Sequence, residues 1–103
     1  MTNINKYKRD GKVGVVISPG FGAGWSTWNP SHREFLLFDK HIVELVLEGR
    51  HREIESYLNE LGYDGYYSTE NLEVEFVPEN TVFYVREYDG SESIEYGESF
   101  FTA

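Results

Sequence analysis

Residues 72–96, LEVEFVPENTVFYVREYDGSESIEY, decide the fold class. In the first part of this stretch apolar residues alternate with glutamates, a period of two that is typical of a half-buried strand. The Pro-Glu-Asn segment predicts a turn, and the Asp-Gly pair further on predicts a hairpin. The stretch therefore predicts an antiparallel meander with glutamates along one face, whose three strands lie around 72–76, 82–88 and 94–96.

Upstream of the meander the apolar period changes to that of a helix. Ile42, Leu45 and Val46 fall on one helical face, and the carboxylate of Asp39 can cap the first turn. A second apolar stripe is rotated from the first by roughly 70°, so two short helices are favoured over one. This second stripe consists of Ile54, Leu58 and Leu61, with Gly49 before it and Gly62 as its predicted stop.

The first part of the chain predicts one strand and contains one ambiguous segment. The β-branched run at 13–17 indicates a buried strand, whereas the apolar run at 35–38 fits either a strand or the start of a helix. Together the elements predict an α+β fold, an antiparallel sheet with one or two helices packed on one face. With 103 residues the chain has room for a single domain, 1–103, in which residues 1–12 form a loose N-terminal arm or an edge strand.

Composition excludes several classes of protein. The chain has no cysteine, which excludes disulfide scaffolds, thiolate metal sites and cysteine nucleophiles. No apolar run approaches the roughly 18 residues that a membrane span requires, and the N-terminus lacks the apolar core of a signal peptide. These features predict a cytoplasmic protein that makes no membrane contact.

Charge is the second constraint on function. Eighteen acidic residues against nine Lys and Arg give a net charge of −9. Residues 1–52 hold eight bases and five acids, whereas residues 53–103 hold one base and thirteen acids. Such a field repels a phosphate backbone, so general nucleic-acid binding is not expected. It fits either a solvating surface or a surface that competes for a basic partner, as nucleic-acid mimics do.

The loop from Ser18 to Pro30 carries most of the functional information. Three glycines alternate in it and are followed at once by two tryptophans. Alternating glycines let the backbone approach a ligand and expose N–H groups as a nest for anions, while indole rings offer a stacking surface. The candidate ligand-binding residues are Gly20, Gly22, Gly24, Trp25, Ser26, Thr27, Trp28 and Asn29.

This loop matches no established phosphate or nucleophile motif. No lysine follows the third glycine, as a P-loop requires, and the G-x-G-x-G spacing differs from the dinucleotide fingerprint. The serine is not part of a G-x-S-x-G elbow. The same composition also fits a glycine-rich turn held in place by two core tryptophans, so a ligand pocket and a structural turn remain alternatives at this point.

The string Gly-x-Gly-Ala-Gly-Trp-Ser-Thr-Trp-Asn at 20–29 resembles a motif of a family of small, uncharacterised proteins encoded mainly by tailed bacteriophages. The resemblance implies a viral protein of the host cytoplasm that serves host takeover or counter-defence, and it implies no particular reaction. Further matches, which extend the resemblance over most of residues 13–96, are Phe38-Asp39, Val43-Glu44-Leu45, Leu72-Glu73-Val74-Glu75, Val77-Pro78 and Glu87-Tyr88-Asp89-Gly90.

No catalytic, metal or cofactor site is predicted. The three histidines form neither an H-x-x-x-H nor an H-E-x-x-H pattern, and the acids are too numerous to single out a catalytic pair. A basic cluster offers candidate phosphate contacts, with a solvated helix face as the alternative. These contacts are Arg33, Arg50 and Arg52, with His32 and His51 nearby in the sequence.

Two functions from different classes follow. The leading hypothesis is a non-enzymatic binding protein whose Gly/Trp loop sequesters a nucleotide-like or other small polar ligand. The alternative is an acidic protein that binds and inhibits a basic host protein through Glu73, Glu75, Glu87, Glu92 and Glu95. The tail with Phe100 and Phe101 must either fold back on the core or be buried in a second copy, and we expect a homodimer.

Overall fold

The computed structural model describes residues 4–20, 22–63, 69–97 and 101–103. Two short 3₁₀ turns, Ser26–Trp28 and Pro30–His32, separate the N-terminal strands from the helices. In chain order the elements are β1 Lys8–Arg9, β2 Lys12–Ile17, α1 Arg33–Phe38, α2 Lys40–Leu47, α3 Arg52–Glu60, β3 Glu73–Pro78, β4 Val82–Tyr88, β5 Ser91–Tyr96 and β6 Phe101–Thr102.

Two small antiparallel sheets and three helices confirm the α+β prediction. The first sheet has the strand order β1-β2-β3 and the second sheet has the order β5-β4-β6. The predicted meander is therefore divided: β4 and β5 form the expected hairpin, but β3 pairs with β2, with Val77 opposite Val13. At the turn after β3, Asn80 takes a left-handed conformation (φ 68°) and its N–H donates to the carbonyl of Ala103, which directs the chain into the second sheet.

Strand β2 is buried on both faces and lies at the centre of the molecule. Val13, Val15 and Ile17 belong to an apolar cluster that includes residues of the second sheet, whereas Val16 belongs to a cluster formed mainly by the helices. Gly14 faces α2, where a Cβ atom would lie 2.9 Å from the Cγ1 of Val43. The glycine therefore allows α2 to pack closely on β2.

The helices follow the predicted signals, with one difference at the end of α3. The ambiguous segment 35–38 lies in α1, and the predicted break falls at Gly49 (φ +73°). The Asp39 carboxylate caps α2 by accepting from the N–H of Ile42 at 3.2 Å. Leu61 belongs to the second apolar stripe predicted from the sequence but is 49 % exposed; it caps the C-terminus of α3 in a helical conformation, and the chain turns at Gly62 (φ +82°).

Both ends of the described chain are attached to the core. Strand β1 pairs with β2, and the N–H of Lys40 donates to the carbonyl of Asn5 at 2.8 Å, which favours the edge-strand alternative for the N-terminal segment. Phe101 packs on Phe83 with ring centroids 5.8 Å apart, so this part of the tail folds back on its own core. Phe101 therefore needs no second copy for its burial, whereas Phe100 lies outside the described residues, and the homodimer stays a prediction.

The helices of the described ranges are all short, and none has the length and apolarity needed to cross a membrane.

One hydrogen bond joins α3 to the cap of α2. The Tyr57 hydroxyl donates to the Asp39 Oδ2 at 2.9 Å, and burial together with this bond raises the pKa of Tyr57. We expect Tyr57→Phe to lower the free energy of unfolding by about 1–2 kcal/mol, because the bond has a carboxylate acceptor. Urea denaturation measures the loss. Tyr88→Phe, at an exposed position, is the control, and equal stability of the two variants would contradict the prediction.

Candidate functional site

A buried glutamate organises the Gly/Trp loop. The side chain of Glu92, on β5, is 2 % exposed, and its Oε1 accepts from the N–H of Ser18 at 3.0 Å. Its Oε2 accepts from the N–H groups of Trp25 (2.7 Å) and Thr27 (3.2 Å) and from the Thr27 hydroxyl (2.6 Å). The loop thus forms an anion nest of the kind that its glycines suggest, and the anion in it is the chain's own carboxylate. We refer to this arrangement as the Glu92 clamp.

Backbone contacts between the loop and the β4–β5 hairpin reinforce the clamp. The N–H of Gly22 donates to the carbonyl of Asp89 at 3.0 Å. At Gly90 (φ +82°) a Cβ atom would lie 2.6 Å from the backbone nitrogen of Ala23. The hairpin turn therefore needs a glycine both for its left-handed conformation and for this close approach.

Trp25 is part of the core, which corrects its predicted stacking role. Its side chain is fully buried, and its indole Nε1 donates to the carbonyl of Leu36 at 2.8 Å. A ring without exposed surface offers no face to a ligand. Trp28, in contrast, is 41 % exposed and lies over Gly24, where a Cβ atom would be 2.6 Å from its Cδ1. Gly24 therefore accommodates this indole.

The remaining loop residues are divided between the interior and the surface. The Asn29 Nδ2 donates to the Trp25 carbonyl at 2.8 Å, and the Ser26 side chain is buried. Gly22 is exposed, while Gly20 borders a concavity of about 370 Å³ beside Asn71. Of the candidate ligand-binding residues, the surface positions Gly20, Gly22 and Trp28 stay predictions. The internal positions Gly24, Trp25, Thr27 and Asn29 have the structural roles given above, whereas the buried Ser26 hydroxyl has no hydrogen-bond partner among the described residues.

The three candidate phosphate contacts are not gathered in one site. Arg50 is held between Glu53, 2.6 Å from its Nη2, and Glu48, 2.9 Å from its Nη1. These two carboxylates raise the pKa of Arg50, and the guanidinium lowers the pKa of Glu53. Arg52 borders the same concavity as Arg50, together with several glutamates, whereas Arg33 borders a separate concavity at the start of α1.

The five glutamates proposed as an acidic sheet face do not share one face. Directly paired residues of an antiparallel ladder lie on the same side of a sheet. Glu92 pairs with Glu87 and points inward, whereas Glu95 pairs with Tyr84 and points outward. Glu73 and Glu75 belong to the first sheet, where partial burial raises the pKa of Glu75. The continuous acidic face is therefore corrected to separate carboxylates.

The outer face of the second sheet presents residues that the motif search missed. Tyr84, Arg86 and Tyr88 alternate on β4 with residues that face the core, and Tyr88 is 71 % exposed. Arg86 lies 3.6 Å from Glu95 on the neighbouring strand. The alternation along 82–88 divides the strand into even-numbered and odd-numbered residues on opposite faces. The sequence alone does not say which of the two sets faces outward.

The histidines serve packing in the described part of the chain. The Nε2 of His51 lies 3.0 Å from the carbonyl of Leu72, and the rings of His41 and His32 pack against Tyr57 and Tyr63. Across the described ranges, no three His, Asp or Glu side chains come together in a way that could hold a metal ion.

Comparison of the chain with protein-family models, with curated proteins and with solved structures gives no match. The resemblance to the phage family therefore depends on the motif at 20–29 and the shorter matches quoted above.

The Glu92 clamp yields a prediction on stability. Glu92→Gln keeps the shape of the side chain but places an NH₂ donor against the N–H groups of the loop. We expect the free energy of unfolding to fall by about 2–4 kcal/mol, because buried donors lose a charged acceptor. Glu95→Gln on the outer face is the matched control, with an expected change below about 0.5 kcal/mol. Chemical denaturation followed by tryptophan fluorescence measures both, and a loss no greater than that of the control would disprove the clamp.

Proposed function

We propose that the chain is a non-enzymatic binding protein that docks on a basic surface of another protein through the outer face of its second sheet. The observation that carries the proposal is the stripe of Tyr84, Arg86 and Tyr88 along β4, which projects away from the core. The proposal retains the inhibitor hypothesis but assigns a different surface to it.

The chemistry of the stripe suits a protein partner. Tyrosine and arginine are enriched at protein interfaces, because they combine a large contact area with hydrogen-bonding groups. Val82, the first residue of β4, extends the stripe and is exposed. In a sheet, such side chains stand side by side, so they present one rigid surface.

Charge selects the kind of partner. The second half of the chain, residues 53–103, carries thirteen acids and one base. Its field attracts a basic surface and repels an acidic one, which raises the association rate and suppresses wrong partners. Following the resemblance to small phage proteins, we propose that the partner is a host protein and that binding inhibits it.

The small-ligand hypothesis has less support at its original site. The Glu92 carboxylate occupies the N–H groups that would hold an anion, and Trp25 is sealed in the core. A nucleotide at the loop would have to displace the chain's own carboxylate from four hydrogen bonds. A protein partner that docks on the outer face of the second sheet does not compete with the Glu92 carboxylate.

A pair of matched double variants tests the docking surface. Tyr84→Ser with Tyr88→Ser removes two large side chains from the stripe without changing its charge, and Leu47→Ser with Leu61→Ser does the same on the helical side. We expect affinity capture from host lysate, quantified by mass spectrometry, to recover a basic protein with wild type and with the helical variant. With the stripe variant, the captured amount of this protein should fall by about tenfold or more.

Salt dependence provides the second criterion. Capture should weaken steeply between about 0.05 and about 0.5 M NaCl, because screening shortens the reach of exposed charges. The melting temperature of each variant should be close to that of wild type, which shows that reduced capture does not result from unfolding. Equal capture by both double variants, or capture that salt leaves unchanged, would overturn the proposal.

A further inference from the structure

Two hairpin turns of the described chain contain the same two residues in nearly the same conformation. Asp10-Gly11 joins β1 to β2, and Asp89-Gly90 joins β4 to β5. In the first turn φ is 53° at the aspartate and 77° at the glycine, and in the second turn it is 50° and 82°. Left-handed residues at both positions are what a two-residue hairpin loop requires. Because residues and φ angles match, differences in reactivity between the turns come from their surroundings.

The Asp89-Gly90 turn is held by contacts from outside the turn. The Asp89 carbonyl accepts from the N–H of Gly22 at 3.0 Å, and the Gly90 N–H donates to the Oε2 of Glu87 at 2.7 Å. A Cβ atom on Gly90 would lie 2.6 Å from the backbone nitrogen of Ala23. The peptide group between Asp89 and Gly90 therefore has little room to rotate.

The Asp10-Gly11 turn is open. Both residues are exposed, and apart from the chain neighbours no atom lies within 4 Å of the place that a Cβ on Gly11 would take. The Gly11 carbonyl accepts from the N–H of Glu79 at 2.9 Å. Within the described ranges, however, nothing accepts from the Gly11 N–H and nothing donates to the Asp10 carbonyl. The Gly11 nitrogen can therefore turn toward the Asp10 side chain.

An aspartate followed by a glycine can form a succinimide ring with its own main chain. The amide nitrogen of the glycine attacks the Cγ of the protonated carboxyl, the bond from Cγ to the hydroxyl breaks, and the hydroxyl leaves with the amide proton as water. Water then adds to the aspartate's main-chain carbonyl carbon, and the bond from that carbon to the nitrogen breaks. The chain now continues through the side chain, as isoaspartate. Ring closure requires the peptide group to rotate, which the missing Cβ of glycine and an open turn permit.

We propose that Asp10 is a site of spontaneous modification, at which aspartate is converted to isoaspartate, while Asp89 is protected by its contacts. The product adds one carbon atom to the main chain of the loop that sets the register of β1 against β2. Strand β1 therefore loosens, and with it the hydrogen bond from the Gly14 N–H to the Tyr7 carbonyl. The hairpin belongs to the first sheet, so this site is independent of the proposed docking function.

Incubation of the purified protein tests the site. The incubation is run at about pH 5, where a fraction of aspartate side chains is protonated, and mass-spectrometric peptide mapping then identifies isoaspartate from its backbone fragments. We expect isoaspartate to form about tenfold or more faster at Asp10 than at Asp89, because the second turn must first break its hydrogen bonds. In denaturing urea the two rates should become nearly equal, since only the identical local dipeptides remain. The pair Asp64-Gly65 lies outside the described residues and is mapped on a separate peptide.

A matched pair of asparagine variants provides the second measurement. Asparagine also tolerates the left-handed conformation, and its ring closure releases ammonia, so the mass change on deamidation reports the same step. We expect Asp10→Asn to deamidate about tenfold or more faster than Asp89→Asn at neutral pH. Equal rates at the two sites of the folded protein, a faster rate at Asp89, or a rate ratio that urea leaves unchanged would overturn the proposal. Hydrogen exchange at the Gly14 N–H should accelerate in the modified protein, and unchanged exchange would refute the loosening of β1.

Discussion

A single buried carboxylate, that of Glu92, determines how the loop after β2 packs on the second sheet. Taking the charge of Glu92 out of water costs several kcal/mol, and only a full set of hydrogen bonds offsets that cost. The loop supplies four such bonds from Ser18, Trp25 and Thr27. These hydrogen bonds restrict the conformation of the loop backbone. In this conformation the Trp25 ring lies in the core beneath α1.

The same constraint explains why a segment with the composition of a binding loop is not an open pocket. Glycines, backbone N–H groups and short hydroxyl side chains hold an anion equally well when the anion belongs to the protein. The glycines meet steric needs: Gly24 admits the Trp28 ring, and Gly90 admits the backbone of Ala23. Surface available for recognition therefore lies elsewhere, on the stripe of Tyr84, Arg86 and Tyr88 along β4.

The sequence predicted local features well and long-range ones poorly. The Asp39 cap, the break at Gly49 and the β4–β5 hairpin depend on neighbouring residues, and each is confirmed. The pairing of β3 with β2 depends on which apolar surfaces meet across more than fifty residues of chain, and no local pattern encodes that choice. Glu92 carried one usable signal: it precedes Ile94 by two residues, so both share the inward face of β5. The hydrogen-bond partners of Glu92 could not be predicted from the sequence, because they lie 65 to 74 residues away in the chain.

The long reach of the Glu92 clamp also has a kinetic consequence. Its hydrogen bonds span 65 to 74 residues, so a nascent chain cannot complete the loop until most of its length has been synthesised. Contacts of such separation carry a large loop-closure cost and form slowly compared with the turns of a helix. The backbone N–H of Trp25 therefore gains its carboxylate acceptor late in folding, and its hydrogen exchange reports the step at which the loop closes on β5.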